Sequence, residues 1–384
     1  MQALTIYLIA GEPSGDLLGS RLMRALKKQM GSGVAFMGVG GETMEREGLN
    51  SLFDISDLSV MGLTEVIPSI PKILKRLRDI GADIRAKKPD IVMTIDSYAF
   101  SVRVHRMLKK IGYKKPHVHC VAPQVWAWKS GRAKKIGAFM DHLFCLLPNE
   151  ESYFTPHGVK TTFIGHPVVE GGAGKGNGAA FRQKHGIPAN ATVMAVLPGS
   201  RKNEIKYLLP TFMAASEELS RAVSHLFVVI PTVAPVAAAV RRAVDGWKVP
   251  HVVVQGEADR YDAFASAQVA LAASGTVSLE LALAGVPHLI AYKLSPLTGY
   301  ILKRMLKIRF ANLLNLLVNK EVIPELLQDK CTADNIVAAV EKLLKNPHQD
   351  VGPALKKLGV GQGQMPSEKM ARVLRELALK DKHD

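Results

Sequence analysis

The stretch PDIVMTIDSYAF, residues 89–100, decides how the first part of the chain is read. Ile91 to Ile95 shows no apolar–polar alternation, so it reads as a strand buried on both faces, the kind found in a parallel sheet covered by helices. Asp96 then stands at the C-terminal end of that strand, the edge where open α/β sheets bind ligands. A carboxylate is costly to bury unless something pairs with it or uses its charge. Two readings stand at this point: a cap for the next helix, or a functional acid.

Working outward, strands and helices alternate through LTIYLIAGE (4–12), a helix from about Ser14 to Met30, VAFMGVGG (34–41), a helix across Pro71 to Lys87, and HVHCVAP (117–123). Such alternation predicts βαβ units and a parallel sheet. In VEGGAGKGNGAAFRQKHG (169–186) glycine crowds the chain and apolar periodicity vanishes, as in a flexible linker. Its GAGKG lacks both the full phosphate-loop pattern and a preceding strand. The same grammar restarts in ATVMAVLPGSRKNEI (191–205), LFVVIPTV (226–233), HVVVQG (251–256), ADRYDAFASAQVALAAS (258–274) and VPHLIAYK (286–293). The expected fold class is therefore α/β, with two doubly wound, Rossmann-like parallel-sheet domains facing a central cleft: residues 1–168, a linker at 169–186, and 187–384. PSEKMARVLRELALK (366–380) reads as a last amphipathic helix, which either stays with the second domain or packs back on the first.

Composition narrows the function classes. At 384 residues the chain exceeds what one core usually holds, and with 47% hydrophobic residues it can bury two. Cys120, Cys145 and Cys331 follow no metal-ligand or disulfide spacing, which fits a reducing, cytoplasmic compartment. The N-terminus carries no basic leader, and no stretch matches a membrane span. Fifty Lys plus Arg against 34 Asp plus Glu leave a net charge of +16, which calls for an anionic partner. Aromatics are only 6% and no nucleic-acid-binding pattern occurs, so nucleic acid is the weaker choice. IPSIPKILKRLRDIGADIRAKK (67–88) and PLTGYILKRMLKIRFANLLNLLV (296–318) interleave apolar residues at helical spacing with Lys72, Lys75, Arg76, Arg78, Lys303, Arg304, Lys307 and Arg309. Each is either an ordinary helix packed on its own domain or a face for an anionic lipid surface.

Several turns carry candidate chemistry. In LPGSR, Gly199, Ser200 and Arg201 lead from a buried strand into a helix, where free backbone N–H groups and a guanidinium would hold phosphate. In SGTVSLE, Ser274, Gly275 and Thr276 open a second helix. Glu280, one turn in, is placed to accept paired hydrogen bonds from a ribose diol, or else lies on a solvated helix face. AGEPSGD offers Gly11, Glu12, Ser14, Gly15 and Asp16 as a loop after the first strand, for a second ligand. VMGLTEV, with Met61, Gly62 and Glu65, and VWAW, with Trp126, are further cleft candidates, although a core tryptophan pair is the ordinary reading of the latter. The histidines show no metal spacing and no D-x-D occurs, so neither metal nor cofactor is expected.

Taken in order, AGEPSGD, VMGLTEV, IDSYAF, PQVWAWKSGRAKKIG, FIGHP, LPGSR, ASGTVSLE and NLL followed by ELLQ resemble the lipid-A-disaccharide synthase family across nearly the whole chain. The resemblance implies a GT-B glycosyltransferase acting in lipid A biosynthesis. Its substrates would be UDP-2,3-diacylglucosamine and 2,3-diacylglucosamine 1-phosphate, its products the β(1→6) disaccharide 1-phosphate and UDP. It further implies Asp96 as the base, UDP held by Gly199, Ser200, Arg201, Ser274, Gly275, Thr276 and Glu280, and Asn315 lining that site. Also implied are a peripheral position on the anionic inner face of the cytoplasmic membrane and a homodimer with exchanged C-terminal segments. Two departures stand out. Where the family commonly reads IDxPDF, this chain has Tyr98 for the proline and Ala99 for the second acid, which leaves Glu12 or Asp16 as substitutes; PNLL has become LNLL. The rivals are another UDP-sugar enzyme of GT-B shape such as a 2-epimerase, a silent UDP-sugar or lipid-binding homologue, and a basic nucleic-acid binder.

Overall fold

The computed structural model describes residues 3–58, 63–126, 131–294 and 309–380. They divide into two compact units, Met1–Pro167 with Gly361–Asp384, and Val168–Val360. The glycine-rich segment expected as a linker thus belongs to the second unit, and the last helix belongs to the first.

The first unit is built on a six-stranded sheet in the order β2-β1-β3-β4-β5-β6. Its strands are β1 (Leu4–Ala10), β2 (Val34–Val39), β3 (Ile91–Ile95), β4 (His117–Cys120), β5 (His142–Cys145) and β6 (Lys160–Phe163). All pairings are parallel. Every residue of β3 is buried, Thr94 included, as its lack of apolar–polar alternation requires when helices cover both faces. The helix Pro366–Lys380 sets Met370, Ala371, Leu374 and Ala378 into the same core as Leu18, Leu22 and Leu26 of the helix Pro13–Met30. Its apolar stripe therefore finds its partner almost the whole chain length away. Burying each of the leucines and the methionine contributes about 1.5–3 kcal/mol.

The second unit repeats the plan in the order β12-β11-β10-β7-β8-β9, again all parallel. Its strands are β7 (Thr192–Leu197), β8 (Leu226–Thr232), β9 (His251–Gln255), β10 (Val269–Ala273), β11 (His288–Tyr292) and β12 (Glu325–Leu327). In each sheet one adjacent pair marks where the winding reverses, β1 beside β3 and β7 beside β10. Such a switch point leaves a crevice outside the strands' carboxyl ends, because the flanking connections depart to opposite faces. Four of the motifs singled out from the sequence leave these four strands: AGEPSGD after β1, IDSYAF after β3, LPGSR after β7 and SGT after β10.

Candidate functional site

In the first unit the backbone at the sheet's edge is strained. Asp96 and Ser97 take φ of +60° and +44°, and Val121, the residue after β4, takes +77°. A β-branched residue there is a true outlier, and such strain persists only where surrounding contacts over-determine it, as at ligand sites. Asp96 is held from several sides: its N–H donates to the Cys120 carbonyl at 3.0 Å, Oδ2 accepts the Ser14 hydroxyl at 2.9 Å, and Oδ1 accepts the Ser97 N–H at 2.8 Å. Its carboxylate stays half-buried. Gly11 and Gly15 permit this approach. A Cβ on Gly11 would lie 2.4 Å from Ser97, and one on Gly15 would lie 3.1 Å from the Ile95 carbonyl oxygen.

The acids of AGEPSGD part company. Asp16 is buried and accepts the N–H groups of Gly41, Thr43 and Met44 and the Thr43 hydroxyl, at 2.7–3.1 Å. Its charge is used to cap the short helix Glu42–Arg46, so its sequence-based place on the ligand wall is corrected to a structural one. Glu12 instead precedes the helix Pro13–Met30 and accepts the Ser97 hydroxyl at 3.3 Å. Of the two acids named as substitutes for the one replaced by Ala99, Glu12 is therefore the one joined to the Asp96 turn.

Trp126 is half-buried and donates its indole N–H to Glu150 at 3.4 Å. Glu150, which sequence reasoning missed, is 3% exposed and takes the N–H groups of Leu146 and Leu147 at 2.9 and 3.0 Å. Burial pushes its carboxyl up to about 7 although those hydrogen bonds pull it down. The signal was a pair of acids in LPNEE directly after the buried strand HLFC. Behind the same edge, the Thr94 hydroxyl lies 2.8 Å from both His105 Nε2 and His119 Nδ1. Burial lowers His119 to about 4 against the pull of Asp96. Met61 and Gly62 lie outside the described residues, as does the side chain of Glu65 on the helix Leu63–Lys87. Among the described residues no group of His, Cys, Asp and Glu is placed to hold a metal ion.

In the second unit Gly199 turns the chain at φ +111° and Glu204 folds back beneath it. Glu204 Oε2 accepts the N–H groups of Ser200 and Arg201 at 2.8 and 3.2 Å. The expectation of free N–H groups at this helix start is thereby corrected: an acid at the third helical position takes up these donors, as in a capping box. The Arg201 side chain remains 62% exposed, with Nη1 3.4 Å from Glu204 Oε1. Across the switch point, Ser274 is half-buried with its hydroxyl 3.5 Å from the Ala311 carbonyl, while Gly275 and Thr276 are exposed.

Glu280 is not on a bare solvated face. It accepts Arg260 Nη2 at 3.0 Å and the Tyr261 hydroxyl at 3.4 Å. Neither partner was found from the sequence, since the pairing spans 20 residues. Asn315 is fully buried, donating to the Ile323 carbonyl and Glu325 and accepting the N–H groups of Val322 and Ile323, at 2.7–2.9 Å. Three of these bonds go to the turn before β12 and the fourth to Glu325 at its start, so the side chain expected to line the site is engaged as a brace.

The profile of a family described as lipid-A-disaccharide synthetase matches residues 6–373. The chain is similar to the lipid-A-disaccharide synthase of Paramagnetospirillum magneticum, with 50% identity over 376 residues and 96% of each chain covered. It is similar also to that of Rhodospirillum centenum, with 48% identity, 97% of this chain and 94% of the other covered. Among solved structures it is similar to a putative UDP-N-acetylglucosamine 2-epimerase from Listeria monocytogenes, at a TM-score of 0.64 and 13% identity, covering 100% and 98% of the two chains. The S. aureus MnaA–UDP co-structure gives 0.63 and 15%, covering 97% and 96%. These two likenesses speak for the fold alone, a GT-B pair of Rossmann-like domains.

Proposed function

The chain belongs to the lipid-A-disaccharide synthase family of glycosyltransferases, and from that premise we propose that it joins UDP-2,3-diacylglucosamine to 2,3-diacylglucosamine 1-phosphate. In this inverting transfer the acceptor's 6-hydroxyl attacks the donor's anomeric carbon, the bond from that carbon to the UDP oxygen breaks, and a β(1→6) bond forms. Asp96 takes the hydroxyl proton as general base. Arg201 offers its guanidinium to the diphosphate and offsets the charge that develops on leaving, while Ser274, Gly275 and Thr276 lie beside it. Glu280 accepts the ribose hydroxyls. Glu12 and Trp126 belong with Asp96 on the acceptor side.

The observation that carries this reading is the carboxylate of Asp96, held half-exposed at a strained strand end by Ser14 and Ser97. Incubating the purified protein with both acylated sugars, and following UDP and disaccharide, tests it. Wild type yielding no disaccharide sinks the transferase reading, and Asp96→Ala at full rate sinks the base.

Both substrates carry acyl chains, and we place the enzyme on the anionic inner face of the cytoplasmic membrane. Ile70 and Leu74, each 46% exposed, lie one turn apart on the helix Leu63–Lys87, with Lys75 and Arg78 exposed beside them. Lys72 and Arg76 were grouped with these from the sequence, but both pair with Asp57 and Arg76 pairs also with Asp79, so the two cations face two acids. Of the second basic stretch, residues 296–308 lie outside the described ones. No helix among the described residues is long and apolar enough to cross a membrane. A homodimer exchanging the segment Gly361–Asp384 completes the proposal; light scattering of wild type and of a chain ending at 360 tests it.

A further inference from the structure

The most conspicuous run in the sequence, GGAGKGNG at residues 171–178, is packed rather than loose. A Cβ on Gly176 would lie 2.0 Å from the Tyr261 carbonyl oxygen, and one on Gly178 would lie 2.4 Å from that of Ala265. On Gly174 it would meet the Leu283 carbonyl at 3.0 Å, on Gly172 the Tyr261 ring at 3.1 Å, and on Gly171 the Tyr261 hydroxyl at 3.1 Å. Glycine serves here for close approach, not for freedom. Ala173 is 2% exposed in one apolar cluster with Tyr261, Phe264 and Leu281, and the Asn177 N–H donates to Asp262 at 2.6 Å.

What this strap covers leads to the nucleotide side. Tyr261 donates its hydroxyl to Glu280, Arg260 pairs with the same oxygen, and the Arg260 guanidinium lies 5.0 Å from the centre of the Tyr261 ring. The side chains of Arg260 and Glu280 are 26% and 16% exposed. Arg260 Nε is buried with no acceptor among the described residues.

We propose that Arg260 and Tyr261 are positioning residues that hold the Glu280 carboxylate in place for the ribose diol of a uridine nucleotide, and that residues 171–178 form the cover that locks them. This rests on the reading of Glu280 as the ribose acceptor. Two adjacent hydroxyls require both the charge and the aim of one carboxylate. Arg260 supplies a countercharge beside the carboxylate, and Tyr261, closed in by glycines, secures the aim.

The test is the ratio of affinities for UDP and 2′-deoxy-UDP, measured by calorimetry on the full chain. Loss of a hydrogen bond to a charged group corresponds to about 10- to 100-fold, so the wild type is expected to prefer UDP to that extent. Glu280→Gln, Arg260→Met and Tyr261→Phe are expected to bring the ratio toward one. Gly172→Ala, whose methyl displaces the Tyr261 ring, is expected to do the same, while Gly352→Ala, where a Cβ meets nothing within 4 Å, leaves it unchanged. In the Glu280→Gln background Arg260→Met should add nothing, which a merely structural arginine would not obey. If Glu280→Gln keeps the wild-type ratio, the ribose reading falls and this inference with it. If Glu280→Gln collapses the ratio but Arg260→Met and Tyr261→Phe do not, the inference alone is overturned.

Discussion

The Ser14 hydroxyl donates to Asp96 Oδ2 at 2.9 Å and so ties the loop after β1 to the end of β3. On the proposed reading, a hydroxyl so placed helps to aim the remaining lone pairs of the base. Removing it should lower turnover without touching the donor site. Ser14→Ala is expected to lower kcat about 10-fold, the worth of one hydrogen bond to a charged group. Asp96→Asn, which keeps the shape and loses the base, should lower it about 10²- to 10⁴-fold. Both should bind UDP as wild type does; a Ser14→Ala enzyme with unchanged kcat would show that the hydroxyl does not aim the base.

Glu12 reaches the same turn through the Ser97 hydroxyl, and Ala99 is exposed one turn away in the helix Tyr98–Lys110. Glu12 is therefore expected to do the work of the absent acid. Glu12→Gln should lower kcat about 10-fold in the natural chain, and less when Ala99→Asp restores the acid. Equal losses in the two backgrounds would mean that the two acids are unrelated.

Much of this was open to a reader of the sequence, for identifiable reasons. Ile91 to Ile95, in which Thr94 is the one polar residue, and Val193 to Leu197 show no apolar–polar alternation because both faces of their strands are covered, and that pattern places Asp96 and Gly199 just past the carboxyl ends of β3 and β7. What escaped was pairing at a distance. Asp16 and Glu12 are both acids at one helix start, and only the fold decides which of them meets the N–H groups of residues 41–44. Glu150 and Arg260 matter through Trp126 and Glu280, 24 and 20 residues away. The glycine run misled because glycine marks two opposite situations, freedom and tight contact, which composition does not separate. The helix at 366–380 declared an apolar stripe and kept silent about which helix covers it.

Arg201 stands exposed at the start of the helix Lys202–Ala222 beside the exposed Lys202, with Glu204 already engaging the N–H groups of Ser200 and Arg201. On the proposed reading the guanidinium is the group that meets the diphosphate, through its planar charged fork. Arg201→Ala should raise the UDP Kd about 10- to 100-fold, and Arg201→Lys, which keeps the charge and loses the fork, should fall between. The Kd for uridine, which lacks phosphate, should not move; if it rises in parallel, Arg201 acts on the fold rather than on the diphosphate.

Glu150 gives a pH dependence whose sign can be worked out. Burial raises its carboxyl from 4.5 to about 7, so the folded protein holds a proton that the unfolded chain has released. Its contribution to stability is full below pH 4.5 and is lost as pH rises through 7, on the order of 3 kcal/mol in all. The buried groups around it, Cys120 and Cys145, stay neutral in this range because burial holds their thiols up. Glu150→Gln should be at least as stable as wild type at pH 8 and lose the difference by pH 4.5. A stability difference independent of pH would show that Glu150 is not the titrating group.

The apolar pair Ile70 and Leu74 gives the last expectation, that this helix docks on anionic lipid. Immersing one such side chain contributes about 1.5–3 kcal/mol, and each nearby cation about 1 kcal/mol at low salt. Ile70→Asp with Leu74→Asp should therefore weaken binding to vesicles containing anionic lipid at least ~100-fold, whereas Lys75→Gln with Arg78→Gln should weaken it ~10- to 30-fold and remove much of its salt dependence. Turnover on detergent-dispersed substrates should be unchanged in all of these, because none of the four residues is part of the proposed catalytic or donor site. Binding to neutral and anionic vesicles alike, indifferent to salt, would mean that the charges beside Leu74 play no part in docking.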